Sequence, residues 1–281
     1  MSSTIAKERD GERKVGPRGQ ETGAQRQSRQ IPKQLPLSPR LLSRRAHFQL
    51  IRKLDETGTT MAANQTKQAI IDAVVAKVEA ESLRSVQIAK LIKELDINRN
   101  TFYYHFTSKY DVAFYVFRTD LAQALAEAFP GDELVSTPLS ADPESEQLPY
   151  YIHREIGART LDFGDFFKTL VRCTLARPQF YSKLFDYRES EFRLLVNELY
   201  RPAVESDLKF VLGGRYMPQS TFDFFCHKYT RLVYETVAYY LKHSRDAEAM
   251  LSDAVNPFWN MPYESLVHSL QMHAIRRPRA N

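Results

Sequence analysis

The densest run of chemistry-bearing side chains in this 281-residue sequence lies between Ile97 and Tyr110, I-N-R-N-T-F-Y-Y-H-F-T-S-K-Y. It holds Arg99, Asn100, Thr101, Tyr103, Tyr104, His105 and Lys109, and no carboxylate. Hydrogen-bond donors without acids suit a polyanion. Arg99 can pair with guanine O6 and N7, the commonest specific base contact; the bland alternative is a solvated charge. Asn100 can read a base edge or support the start of a helix. Tyr103, Tyr104, His105 and Lys109 suit phosphate and sugar contacts, although Tyr104 also reads as a partly buried packing residue. Thr101 can touch a phosphate or a thymine methyl. Ser85, upstream, can cap a helix whose first turn reaches a phosphate.

These side chains need helices to aim them. Phe102 and Phe106 are four apart, so on a helix they share one face and anchor it to a core. Upstream, Ile88, Leu91, Ile92 and Leu95 give Ser85–Leu95 an amphipathic helical pattern. Asp96 interrupts it, and Ile97 is a buried-type residue in the turn. The order is helix, tight turn, short helix, a helix-turn-helix, and a short rod with one apolar stripe and donors elsewhere fits the major groove of DNA. Ser108-Lys109-Tyr110-Asp111 has capping-box spacing, with Asp for the usual Glu, and opens a helix from Lys109 to Phe129. Pro130-Gly131 ends it. Before all of these, Gln65–Glu81 carries a buried stripe of Ile70, Ile71, Val74, Val75 and Val78.

The run Thr101-Phe102-Tyr103-Tyr104-His105-Phe106-Thr107-Ser108-Lys109, with the helix and turn before it, resembles the DNA-binding core of the TetR/AcrR family of bacterial transcriptional regulators. The resemblance covers roughly Gln65 to Glu127. One departure is Asp96, which stands where the family usually has a turn glycine; Asp tolerates a left-handed backbone better than most residues but less well than Gly. The family implies an all-α chain with an N-terminal three-helix DNA-binding domain over 65–127 and a helical ligand-binding and dimerisation domain over 152–281. It implies a regulator, by family habit a repressor, that binds a palindromic operator in double-stranded DNA as a homodimer. A small-molecule effector, of unknown identity, would release it. Neither a cofactor nor a metal is implied.

Composition bounds the rest. A hydrophobic share of 43% suits a globular protein with a sizeable core. No run approaches the length of a membrane span, and the polar start lacks an apolar signal stretch, so a cytoplasmic protein with no membrane partner is expected, at the nucleoid when bound to DNA. Cys173 and Cys226 both sit in apolar helical patterns and read as buried, reduced thiols. The net charge of +5 is unevenly spread: residues 1–60 carry +7, residues 61–129 carry 0 and residues 130–281 carry −2. Bulk charge therefore does not argue for nucleic-acid binding by 65–127; the local acid-free window does. Residues 1–60 are polar, basic and aperiodic, and disorder is expected there. Three readings stand open for them: a basic arm, a solubilising tail, or translation assigned from too far upstream, with Met61 the true start.

Residues 128–151 read as a linker, its acidic part from Gly131 to Tyr151 carrying Pro138, Pro143 and Pro149 and expected to be a loop. No useful strand-period stretch is evident. Helices are expected over Asp162–Leu175, Gln179–Phe185, Glu189–Leu208 (kinked or ended by Pro202), Ser220–His243 and Pro262–Ile275. The last two would build a four-helix dimer seam, or the second would only cap the core. His227, Arg231 and Tyr234, at i, i+4 and i+7, line one helix face and are candidates for an effector pocket, or for a solvated face. No Ser-His-Asp order, paired carboxylates, glycine-rich phosphate loop or zinc spacing appears, so no enzyme is expected. Two rival readings are a helical small-molecule binder or enzyme with a vestigial head, and a DNA-associated adaptor acting through residues 1–60.

Overall fold

Apolar residues three and four apart dictate helices through most of the chain, and the fold is mostly helical. The computed structural model describes residues 59–132, 134–139, 146–243, 251 and 261–274, all of them in the unit Thr57–Asn281. The expected disordered extension lies, but for its last two residues, outside the described residues.

The first four helices among the described residues are α1 (Thr59–Ala80), α2 (Ile88–Glu94), α3 (Arg99–His105) and α4 (Lys109–Ala128). α1 begins earlier than its apolar stripe required. Ile70, Val74, Val78, Leu83, Val86, Leu91, Phe102 and Phe106 are buried together, with Ile88, Ile92, Leu95 and Ile97 packed half-buried against them. Asp96 makes the turn between α2 and α3 in the left-handed region, at φ 49°. That is a conformation a glycine adopts freely.

α4 is the central strut. Ser108 caps it: Oγ accepts the Asp111 amide at 3.1 Å, while the Asp111 carboxylate accepts the Thr107 amide at 2.8 Å. Its apolar residues Val112, Val116, Phe117, Leu121 and Leu125 are buried. It packs against α1 on one side and, on others, against the elements that follow.

The expected loop after α4 is instead a β-ribbon, a correction to both the linker and the strand-free reading. β1 (Leu134–Pro138) pairs antiparallel with β2 (Gln147–Ile152), and a second pair, β3 (Glu155–Gly157) with β4 (Thr160–Leu161), follows. Val135 pairs with Tyr151 but Ser136 with Pro149, which leaves Tyr150 as a bulge. Tyr150 and Tyr151 are consequently both buried, and the alternation that marks a strand in sequence is broken. The prolines are tolerated because a two-stranded ribbon is all edge. Arg118 of α4, 2% exposed, fastens the ribbon: its Nη2 donates to the Thr137 and Leu148 carbonyls at 3.0 and 3.1 Å. Those two residues face each other across the strands.

The body continues with α5 (Gly164–Leu175), α6 (Pro178–Leu184), α7 (Ser190–Leu212), α8 (Gln219–His243) and α9 (Met261–His273). α4 packs on β2, α5 and α7, and α7 packs on α8. Pro202 does not end α7, the second of its two expected effects. The one amide it removes is offset by the buried Leu199, Tyr200, Ala203 and Val204 around it. Gly213 ends the helix at φ 53°, its amide donating to Lys209 and Phe210 carbonyls. Cys173 and Cys226 are free and buried, and burial pushes the Cys173 thiol up to about 12. Among the described residues no helix is long and apolar enough to cross a membrane, and no cluster of His, Cys, Asp or Glu could hold a metal.

Candidate nucleic-acid interface and body cavity

α3 is seven residues long and needs help to hold its shape. Asn98 supplies it. Its Oδ1 accepts the Thr101 amide at 2.8 Å, satisfying one of the helix's orphan donors. This cap was missed in sequence, although an Asn three residues before Thr101 is its ordinary signature. Phe102 and Phe106 are buried as expected. Deleting either ring would cost about 3–5 kcal/mol.

The opposite face of α3 is open. Arg99 and Asn100 are exposed, Thr101 is half-buried, and Tyr103 and Tyr104 are 39% and 54% exposed. The open position of Tyr104 departs from the packing alternative. The Arg99 guanidinium lies 5.5 Å from the Tyr103 ring centroid, a cation–π placement that orients it without an acid partner. The Tyr104 and His105 rings meet edge to face at 4.9 Å. Burial, then the nearby Lys67, lowers the His105 pKa below its usual value, which favours the neutral imidazole.

Two expected contacts look different in the structure. Ser85 does not cap α2: the N-cap is Gln87, with no side-chain bond, and the Ser85 hydroxyl donates to the Ser82 carbonyl at 2.7 Å. Lys109 is not a loose phosphate donor. Its Nζ donates to the Arg84 and Val86 carbonyls at 2.7 and 3.1 Å, which commits two of its three hydrogens. Burial lowers its pKa, opposed by Glu189 and Glu191. Glu189, 2% exposed, completes this junction by accepting the Arg84 amide at 3.3 Å. The Glu189 pKa is raised, chiefly by burial. Nothing in the local sequence pattern announces a tie across 105 residues.

The body also holds a buried carboxylate besides Glu189. Asp207, 1% exposed, accepts from the Tyr151 hydroxyl and lies 2.7 Å from His153 Nδ1, while His153 Nε2 lies 3.5 Å from Glu155. Burial raises the Asp207 carboxyl to about 6 against the opposing pull of Tyr151 and His153.

A cavity of about 770 Å³ opens beside α8, bounded by α6, α7 and the turn between them. Arg231 and Tyr234 line it; His227 does not, and is exposed. The three residues expected on one face are therefore split. Tyr234 is buried, its hydroxyl donating to the Leu184 and Asp186 carbonyls at 3.2 and 3.0 Å, so it presents its ring to the cavity. Arg231 pairs with Glu235 at 3.3 Å. No family model and no curated protein sequence matches the chain.

Proposed function

We propose that the chain is a DNA-binding transcriptional regulator of the TetR/AcrR type, with α2 and α3 as its helix-turn-helix and α3 as the element that enters the major groove. The observation that carries this reading is the division of α3 into two faces. Phe102 and Phe106 are buried, while Arg99, Asn100, Tyr103 and Tyr104 stand outward with no carboxylate among them. In helix-turn-helix proteins the second helix lies along base edges and its neighbours meet the backbone.

One short helix reads few base pairs, so a homodimer over two half-sites about one helical turn apart is part of the proposal. Phe224 on α8 and Met272 on α9, 62% and 70% exposed, support a seam built from those helices. The effector would occupy the cavity beside α8 and shift the balance between operator-competent and incompetent arrangements.

The test starts from DNA selected out of random or genomic fragments by the full chain. Anisotropy titrations at several salt concentrations should give specific binding that weakens as salt rises. Arg99→Ala should cost roughly 1–3 kcal/mol of specific binding and relax preference at one position of the site. Unchanged affinity and preference would remove α3 from the groove.

A further inference from the structure

The cavity beside α8 is both aromatic and electrostatically unbalanced. Two ring pairs form its walls: Phe185 with Tyr234, centroids 4.8 Å apart and tilted by 32°, and Tyr239 with His243, 4.4 Å apart and tilted by 33°. Flat walls of this kind accept a flat ring by offset or tilted stacking. Each lining carboxylate already has a cation of its own. Asp186 receives both Nε and Nη2 of Arg188, at 3.0 and 2.9 Å, and that pairing, despite some burial, lowers its pKa. Glu235 pairs with Arg231. Two lining cations are left over, Arg193 and Lys242, which have no ion pair among the described residues. Among the described residues the Arg193 guanidinium makes one long bond, 3.5 Å, to the Tyr187 carbonyl.

We propose that this cavity binds an aromatic organic anion, its ring between the two aromatic pairs and its carboxylate or sulfonate held by Arg193 and Lys242. A cationic ligand would find both carboxylates already neutralised and two cations opposing it. A neutral ligand would leave those cations unanswered. A volume of about 770 Å³ lies within the usual span of small-molecule sites. The regulatory meaning of the site rests on the proposed function above; the binding itself does not.

The test uses the full chain without DNA and two fluorescent probes of nearly the same shape. One is 1-anilinonaphthalene-8-sulfonate; the other is N-phenyl-1-naphthylamine, which lacks the sulfonate. Lys242→Ala and Arg193→Gln should each weaken the sulfonate about ten-fold, the value of one charge-assisted hydrogen bond, and leave the neutral probe nearly unchanged. Lys242 is exposed, so its variant folds, and retained binding of the neutral probe confirms an intact cavity in both variants. Equal losses for the two probes, or none for either, would overturn the anion site. That failure leaves the DNA reading standing. Conversely, charge-dependent probe binding by a chain that selects no DNA would overturn the regulator and keep the site.

Discussion

Arg99 and Arg118 sit nineteen residues apart in sequence and show two opposite uses of one side chain. Arg118 is 2% exposed, and its guanidinium answers two strand carbonyls. Arg99 is exposed, rests over a tyrosine ring and has no ion pair among the described residues. The first spends its hydrogen bonds on the fold. The second has no ion pair among the described residues, which leaves its donors to the DNA of the proposed function. A buried guanidinium without partners is untenable, so its surroundings show what it holds; an exposed one is informative only through what it lacks.

The contrast can be tested by breaking each side in turn. Arg118→Met should cost the most, about 2–4 kcal/mol of stability, because it strands the buried Leu148 carbonyl and the half-buried Thr137 carbonyl. Denaturant titration should show it, and a loss under about 0.5 kcal/mol would mean that the ribbon closes on its own.

Asp207 comes next, with a pH signature. Its folded pKa of about 6 exceeds the 3.8 of the free side chain, so the folded state binds the extra proton between those values. Stability from this group therefore rises as pH falls through 6 towards 3.8. Relative to Asp207→Asn, the unaltered chain should gain up to about 3 kcal/mol between pH 7 and pH 4. Parallel pH profiles for the two proteins would show that Tyr151 and His153 hold the carboxylate ionised throughout.

Arg99→Ala should then cost roughly 1–3 kcal/mol of specific DNA binding while changing the unfolding free energy by no more than about 0.5 kcal/mol. A stability loss equal to the binding loss would make Arg99 another structural arginine and erase the comparison. The smallest effect is expected at Asp96. Replacing it by Gly relieves the left-handed backbone at φ 49° and should stabilise the head by about 0.5–1 kcal/mol, read by thermal denaturation.

What could be read in the sequence was local. The apolar spacing of Phe102 and Phe106, the Ser108–Asp111 cap and the helical body depend on residues three or four apart, and they stand in the structure where the pattern put them. What escaped was non-local or irregular. The Tyr150 bulge hid β2 by turning two successive tyrosines inward, and Pro138 and Pro149 argued against any strand at all. The Lys109 bonds span 23 and 25 residues, and the Tyr151–Asp207 bond spans 56. No periodicity encodes such pairs. The candidate cavity divides the same way. Arg231 and Tyr234 were found by helical spacing on α8, whereas Arg193 comes from α7 and was invisible to it.

The turn between α6 and α7 faces two different neighbours. Phe185, Asp186 and Tyr187 wall the cavity, and three residues on from Asp186 the Glu189 carboxylate holds the Arg84 amide beside α2. One five-residue strip thus has a different neighbour at each end. Deuterium uptake at the Arg84 amide becomes a gauge of how tightly that strip is drawn, legible without any knowledge of what fills the space behind it.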